Sequence, residues 1–197
     1  MAKLELYYPT KPWRINQGFG NVMKVYTDMG LQGHNGIDAY APDSWIVRAA
    51  HDGVVVFTGY DGGGGLGGVI RTTEPFDYNG KQTYFKTIYW HLKKDCVVVK
   101  PDQRVTVGQI IGLADNTGLS TGSHLHFGLK PVYKGENDWD LQNVDQNNGY
   151  KGAIDPTPYF VGICAEDAST WTKVTAVVQN LALRVKILAE LVKVASK

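Results

Sequence analysis

The chain has 197 residues, 43% of them hydrophobic and 11% aromatic, with 20 Lys+Arg against 19 Asp+Glu and a formal net charge of +1. That composition supports one substantial domain with a buried core and excludes a disordered polyelectrolyte. A total charge so near zero offers no electrostatic grip on nucleic acid or anionic lipid, and no stretch reaches the roughly 18 apolar residues of a membrane span.

In chain order, the N-terminal "MAKLELYYPTKPW" lacks the uninterrupted apolar run of a secretion signal, so either a trimmed secreted protein or release by another route is expected. In "GHNGIDAYAP" (33–42), Gly36 and Pro42 favour an extended segment or loop over a helix. The even separation of His34 and Asp38 then places both on one face. An imidazole nitrogen and a carboxylate oxygen are both good zinc ligands, and one more imidazole would complete the three-ligand open site of catalytic zinc. Taken alone, Asp38 reads more simply as a turn or capping carboxylate.

Short runs rich in Val, Ile, Thr, Tyr and Phe follow, punctuated by glycine turns. Strands are expected at "WIVRAA", "GVVVFTGY", "GVIRTT", "TYFKTIYWHL", "QIIGLA" and "HLHFGLK". Their close spacing favours antiparallel pairing, because parallel strands need long crossovers. No internal repeat occurs at solenoid periods. His51, just before an Asp-Gly turn, reads as a solvated surface residue. Gly63, Gly65 and Gly68 satisfy GxGxxG, but the "VIRTT" after them reads as strand where a dinucleotide fingerprint must open a helix.

In "TIYWHLKKD", His91 lies on the face opposite Trp90 and Leu92, where a lone histidine is usually structural. Cys96 and Cys164 lack CxxC spacing and read as ordinary thiols. In "HLHF", alternation sends His124 and His126 one way and Leu125 and Phe127 the other. One face is core and the other is available for chemistry.

Beyond "DPTPYFVGICAED" no Pro or Gly occurs from Ala165 onward, and Trp171, Val174, Val178, Leu181, Val185, Leu188, Val192 and Ala195 form a heptad seam. An amphipathic α-helix is expected over 165–197, with Ser169 or Thr170 at its start. Alternating Val and Leu suit two parallel strands of a homo-oligomer. Extra apolar residues such as Val177, Leu183 and Ile187 widen the face instead, as in a helix docked on its own sheet.

Taken together, "QGFG", "GHNGID", "IVRAAHDGVVV", "YWHL", "VTVGQIIGLADNTGLSTGSHLHF" and "DPTPYF" resemble, in that order, the M23 metallopeptidases, the lysostaphin and LytM type of peptidoglycan endopeptidase. The resemblance spans about residues 13–160. It implies a mainly β fold, an antiparallel core whose groove holds an extended peptide, with residues 1–162 as the peptidase domain. It further implies one zinc ion per chain held by His34, Asp38 and His126, with His91 and His124 as catalytic histidines that are not ligands. The glutamate base of HExxH proteases is missing, and the two extra imidazoles would fill that role.

The implied partners are peptidoglycan peptides on the bacterial cell wall, reached by a secreted hydrolase or a phage-type lysin. A non-catalytic LytM-like binding or activator module, or a virion structural component, is the rival, but such modules typically lose metal-site residues and all five positions are filled here. Three departures touch substrate preference rather than metal binding. Gly128 stands where many relatives carry an acidic or amide side chain, Ser123 where Pro is frequent, and Leu66 in a loop that often bears Tyr. The glycine loop reads as flexible backbone beside the groove. "EPFDYNGKQTYFKT" and "KGENDWDLQNVDQNNGYKG" are expected to shape groove walls.

Overall fold

Asn79 and Gly80, at φ 52° and 77°, make the two-residue turn that the right-handed twist of a hairpin demands, so "FDYNGKQT" folds back on itself. The same logic of short strands and glycine turns runs through the computed structural model, which describes residues 2–137 and 140–163. Its elements are β1 (Leu6–Tyr7), β2 (Ile15–Gln17), α1 (Lys24–Asp28), β3 (Ile37–Ala39), β4 (Ile46–Arg48), β5 (Gly53–Asp61) and β6 (Gly65–Thr72), followed by β7 (Phe76–Tyr78), β8 (Lys81–Trp90), β9 (Arg104–Val105), β10 (Ile110–Leu113), β11 (Leu125–Lys134), β12 (Leu141–Asn143) and β13 (Phe160–Gly162). Each of the six expected strands is present. The helix expected over 165–197 and Cys164 lie outside the described residues.

Among the described residues, one antiparallel sheet runs in the order β2-β3-β11-β8-β6-β5-β9, with β12 added to β11 and β7 to β8. A small β10–β4 ladder and a parallel β1–β13 pair pack with it, the latter bringing the two ends of the described chain together. The inner face of the large sheet supplies Ile70, Phe85, Tyr89, Leu125, Phe127 and Leu129, which pack against Leu6, Val47, Ala49 and Ile111. Tyr89 and Phe127 meet edge to face with centroids 5.3 Å apart.

Because side chains alternate, burying Leu125, Phe127 and Leu129 forces His126, Gly128 and Lys130 onto the outer face of β11. Register then sets Trp90, Ile88 and Lys86 of β8 directly beside them. The core therefore decides where the outer histidine stands.

His51 corrects an expectation, being 6% exposed rather than solvated. Its Nδ1–H donates to the Asp52 carbonyl at 2.8 Å, and its Nε2 meets the Thr87 hydroxyl at 2.9 Å. Thr87 in turn hydrogen-bonds the Tyr89 hydroxyl, which accepts the Ala50 N–H. Burial pushes the His51 pKa down to about 4, with the Asp52 carbonyl opposing.

The glycine run is also not loose backbone. A Cβ at Gly67 would fall 2.1 Å from the Trp90 ring and 2.2 Å from the Tyr89 carbonyl. Glycine is needed there so that the indole can lie flat against β6.

Candidate metal centre

The β3–β11 register pairs Asp38 with His126, so a carboxylate and an imidazole face each other across one rung of the sheet. His34 reaches the same point by another route. It sits in a bent loop, not on a continuous extended segment, and that loop is tied down by the Gly20 N–H donating to the His34 carbonyl and the His34 N–H donating to the Asn21 carbonyl. His34 Nε2 lies 2.9 Å from His126 Nδ1 and 3.2 Å from Asp38 Oδ1, and His126 Nδ1 lies 3.3 Å from the same oxygen. Within this group the ring of His34 is 1% exposed.

The tautomers say what this cluster suits. His34 Nδ1–H donates to the Gly18 carbonyl at 3.2 Å, which leaves Nε2 as a bare lone pair aimed at the other two donors. With His126 Nδ1 turned to that lone pair and to the Asp38 carboxylate, a single cation among the three atoms can serve all of them. A tetrahedral ion with ligand bonds of about 2.0–2.1 Å holds its donors ~3.4 Å apart. The observed edges of 2.9, 3.2 and 3.3 Å are close to that span, so two nitrogens and one oxygen fit a borderline cation such as zinc and leave a fourth position open.

Gly36 closes the site from below. A Cβ there would fall 2.8 Å from both Cε1 and Nε2 of His126 and 2.7 Å from the Phe127 carbonyl. The glycine of "HNGID" thus lets the His126 ring lie against the backbone of the loop carrying His34.

His124 also reaches Asp38, with Nε2 3.4 Å from Oδ1, while its Nδ1–H donates to the Gly122 carbonyl at 2.8 Å. Burial would raise the Asp38 pKa, but the neighbouring imidazoles of His124, His126 and His34 outweigh it and hold the carboxyl well below the usual range. Burial likewise opposes the charged form of His124, yet the Asp38 carboxylate raises its pKa. For His126 burial prevails and the pKa falls.

His91 arrives by a backbone feature that alternation does not foresee. Strict alternation along β8 would send it to the Tyr89 side, into the core. Instead His91 adopts φ 64°, uncommon for a residue with a Cβ, immediately after the strand ends. Its N–H bonds the Gly64 carbonyl and its own carbonyl accepts the Asp115 N–H. The ring therefore turns to the same face as Trp90, correcting the opposite-face expectation, and lies 4.5 Å from His124 and 6.2 Å from His126, centroid to centroid.

Its Nδ1–H donates to the Thr117 carbonyl at 2.6 Å, leaving Nε2 as the acceptor. Thr117 is itself held by its hydroxyl, which accepts the Leu66 N–H and donates to the Leu92 carbonyl. Burial lowers the His91 pKa to about 4, with Thr117 opposing.

Sequence spacing missed Tyr26. It stacks on His34 with centroids 5.0 Å apart and an interplanar angle of 21°, and its hydroxyl accepts a 2.8 Å bond from Gln17. Burial, then the Asp38 charge, raises its pKa. No local pattern in "VMKVYTD" signals that contact.

The family model described as Peptidase family M23 matches residues 32–140. The chain is 38% identical over 123 residues to the peptidoglycan DD-endopeptidase ShyA of Vibrio cholerae, covering 62% of this chain and 26% of that protein. It is 34% identical over 142 residues to the glycyl-glycine endopeptidase ALE-1 of Staphylococcus capitis, covering 62% and 36%. The chain thus spans well under two thirds of the length of these curated relatives. Among solved structures, a zinc containing peptidase from Vibrio cholerae matches with a TM-score of 0.53 and 31% identity, over 66% of this chain and 37% of that one. The antimicrobial peptidase lysostaphin from Staphylococcus simulans matches with a TM-score of 0.52 and 26% identity, over 75% and 48%.

Proposed function

The chain belongs to peptidase family M23, and from that premise we propose that it is a zinc endopeptidase that hydrolyses amide bonds in the stem peptides or cross-bridges of peptidoglycan. The observation that carries this reading is the convergence of His34 Nε2, Asp38 Oδ1 and His126 Nδ1 on one point, with two further imidazoles beside it. Those three residues would hold one zinc ion per chain. When bound, zinc supplies a Lewis acid for a carbonyl oxygen and lowers the pKa of water towards ~7.

His91 and His124 do the proton work. The Thr117 and Gly122 carbonyls each take an Nδ1–H, so both rings keep Nε2 for exchange. One ring accepts the proton of the attacking water, and the pair steadies the developing oxyanion and returns a proton to the leaving amine. Buried and hydrogen-bonded, neither ring needs to reorient during the reaction. Asp38 Oδ1, 3.4 Å away, also fixes the orientation of His124 Nε2 beside the three ligands.

The peptidoglycan relatives support the substrate class. Such an enzyme acts outside the membrane on the cell wall, whether secreted or set free as a phage-type lysin. A non-catalytic binding module has no use for the two imidazoles outside the ligand set. Incubating purified muropeptides of known structure with the zinc-loaded chain and weighing the fragments tests the reading: a mass gain of one water across an amide bond is expected, and intact muropeptides would refute it.

A further inference from the structure

Four residues past His126 on β11, the outer face of the sheet changes character. Lys130 shares that face with His126, since Phe127 and Leu129 between them are fully buried on the other. Register places Lys86 of β8 directly opposite Lys130, and Arg71 of β6 directly opposite Lys86. Three cations therefore stand side by side across three adjacent strands. Such neighbours have Cβ atoms about 4.5–5.5 Å apart, and like charges there are destabilising.

The charge of Asp61, at the end of β5, offsets part of that repulsion for Lys130 without pairing with it. Among the described residues no carboxylate forms an ion pair with Lys86 or Lys130. Lys130 Nζ donates instead to the Lys151 carbonyl at 2.7 Å, on a loop that adds a fourth cation. Burial, then the charges of Lys86 and Lys151, pushes the Lys130 pKa down to about 8 against the pull of Asp61, and burial lowers that of Lys86. Arg71, 3% exposed, lies over the Tyr84 ring at 5.0 Å.

The floor between this row and the metal centre is Gly128 beside Ile88. Both are buried, and a Cβ at Gly128 would meet Ile88 at 3.4 Å and the Asn35 carbonyl at 3.7 Å, so the strands and the loop before β3 hold the lysine row at a fixed distance from the metal centre. At ~3.3 Å per residue, four strand positions span ~13 Å, which is also the reach of about four residues of an extended peptide.

We propose that Lys86 and Lys130, backed by Arg71, form a subsite that grips a carboxylate of the peptide substrate about four residues from the bond cut, selecting acidic over amidated peptides. The proposal rests on the peptidase reading above. Charge-assisted hydrogen bonds to a half-buried ammonium pair give it its strength.

The test compares dissociation constants, by calorimetry on the zinc-loaded full chain, of wall stem peptides with free carboxylates, the same peptides amidated, and inorganic phosphate. The free acids are expected to bind on the order of tenfold more tightly than the amides. In Lys86→Met/Lys130→Met that ratio falls towards one, and in Lys86→Arg/Lys130→Arg it returns. The methionine variant is expected to retain zinc and to melt no lower than the parent, since it removes a repulsion. Equal affinities in the parent chain, including no measurable binding of either peptide, overturn the proposal, as does an unchanged ratio in the methionine variant. Phosphate binding more tightly than the free acids overturns the carboxylate assignment. If muropeptides stay uncut while the carboxylate preference appears and disappears as stated, the proposed reaction fails and the subsite stands. If they are cut without preference, the subsite fails alone.

Discussion

His34 Nε2 faces His126 Nδ1 at 2.9 Å, although 92 residues separate them in the chain. With the proton of His34 committed to the Gly18 carbonyl, its Nε2 lone pair is free for a metal ion that His126 Nδ1 would share. Metal binding should therefore hold the loop before β3 to β11.

Zinc content follows directly. The purified chain is expected to hold close to one zinc per molecule, and His126→Ala to hold little, measured by elemental analysis. Near-stoichiometric zinc in that variant would remove His126 from the ligand set.

Zinc should also stabilise the fold, because a ligand that binds only the native state adds RT ln(1 + [L]/Kd). At a thousandfold excess over Kd that is ~4 kcal/mol, or roughly a 10 °C rise in Tm for a domain of this size. Thermal unfolding of the chelated chain with and without added zinc reads it, and coincident curves would count against a structural hold by the metal.

For His91 and His124, alanine at either position is expected to leave zinc bound but to reduce turnover on the order of a hundredfold or more. Full wall-digesting activity in either variant would take that residue out of the proton transfer. Loss of zinc would make it a ligand.

Gly36→Ala separates packing from ligation. No donor atom is lost, yet the new Cβ would collide with the His126 ring at 2.8 Å. Zinc affinity is expected to fall about ten- to a hundredfold, the range for groups that orient ligands, with the circular dichroism of the sheet retained. Unaltered affinity would mean that the loop yields at little cost.

His51 sets a pH dependence of stability away from the metal. Its folded pKa, about 4, lies below the ordinary histidine value of 6.5, so the unfolded chain binds the extra proton between those values. Stability contributed by the neutral ring is full above pH 6.5 and is lost as pH falls towards 4, by roughly 3 kcal/mol at 1.36 kcal/mol per unit. Urea unfolding at pH 7 and pH 4 should show a smaller drop in His51→Gln than in the parent. Equal drops would assign the acid sensitivity elsewhere.

Much of this protein is legible in its residues taken in order. The strands over "GVVVFTGY" and "HLHFGLK" follow from alternation and β-branched side chains, and the Asn79–Gly80 turn from the two residues that tolerate positive φ. His124 and His126 share a face because a strand has period two. Tertiary structure decided what alternation cannot express: His91 turned from the core by one left-handed residue, His51 buried against Thr87, Tyr26 laid on His34, and Lys130, Lys86 and Arg71 brought abreast by register. The physical reason is range. Local sterics and periodicity act within a few residues and set which way a side chain leaves its own strand, whereas the partner it meets depends on cross-strand register and loop closure between segments tens of residues apart.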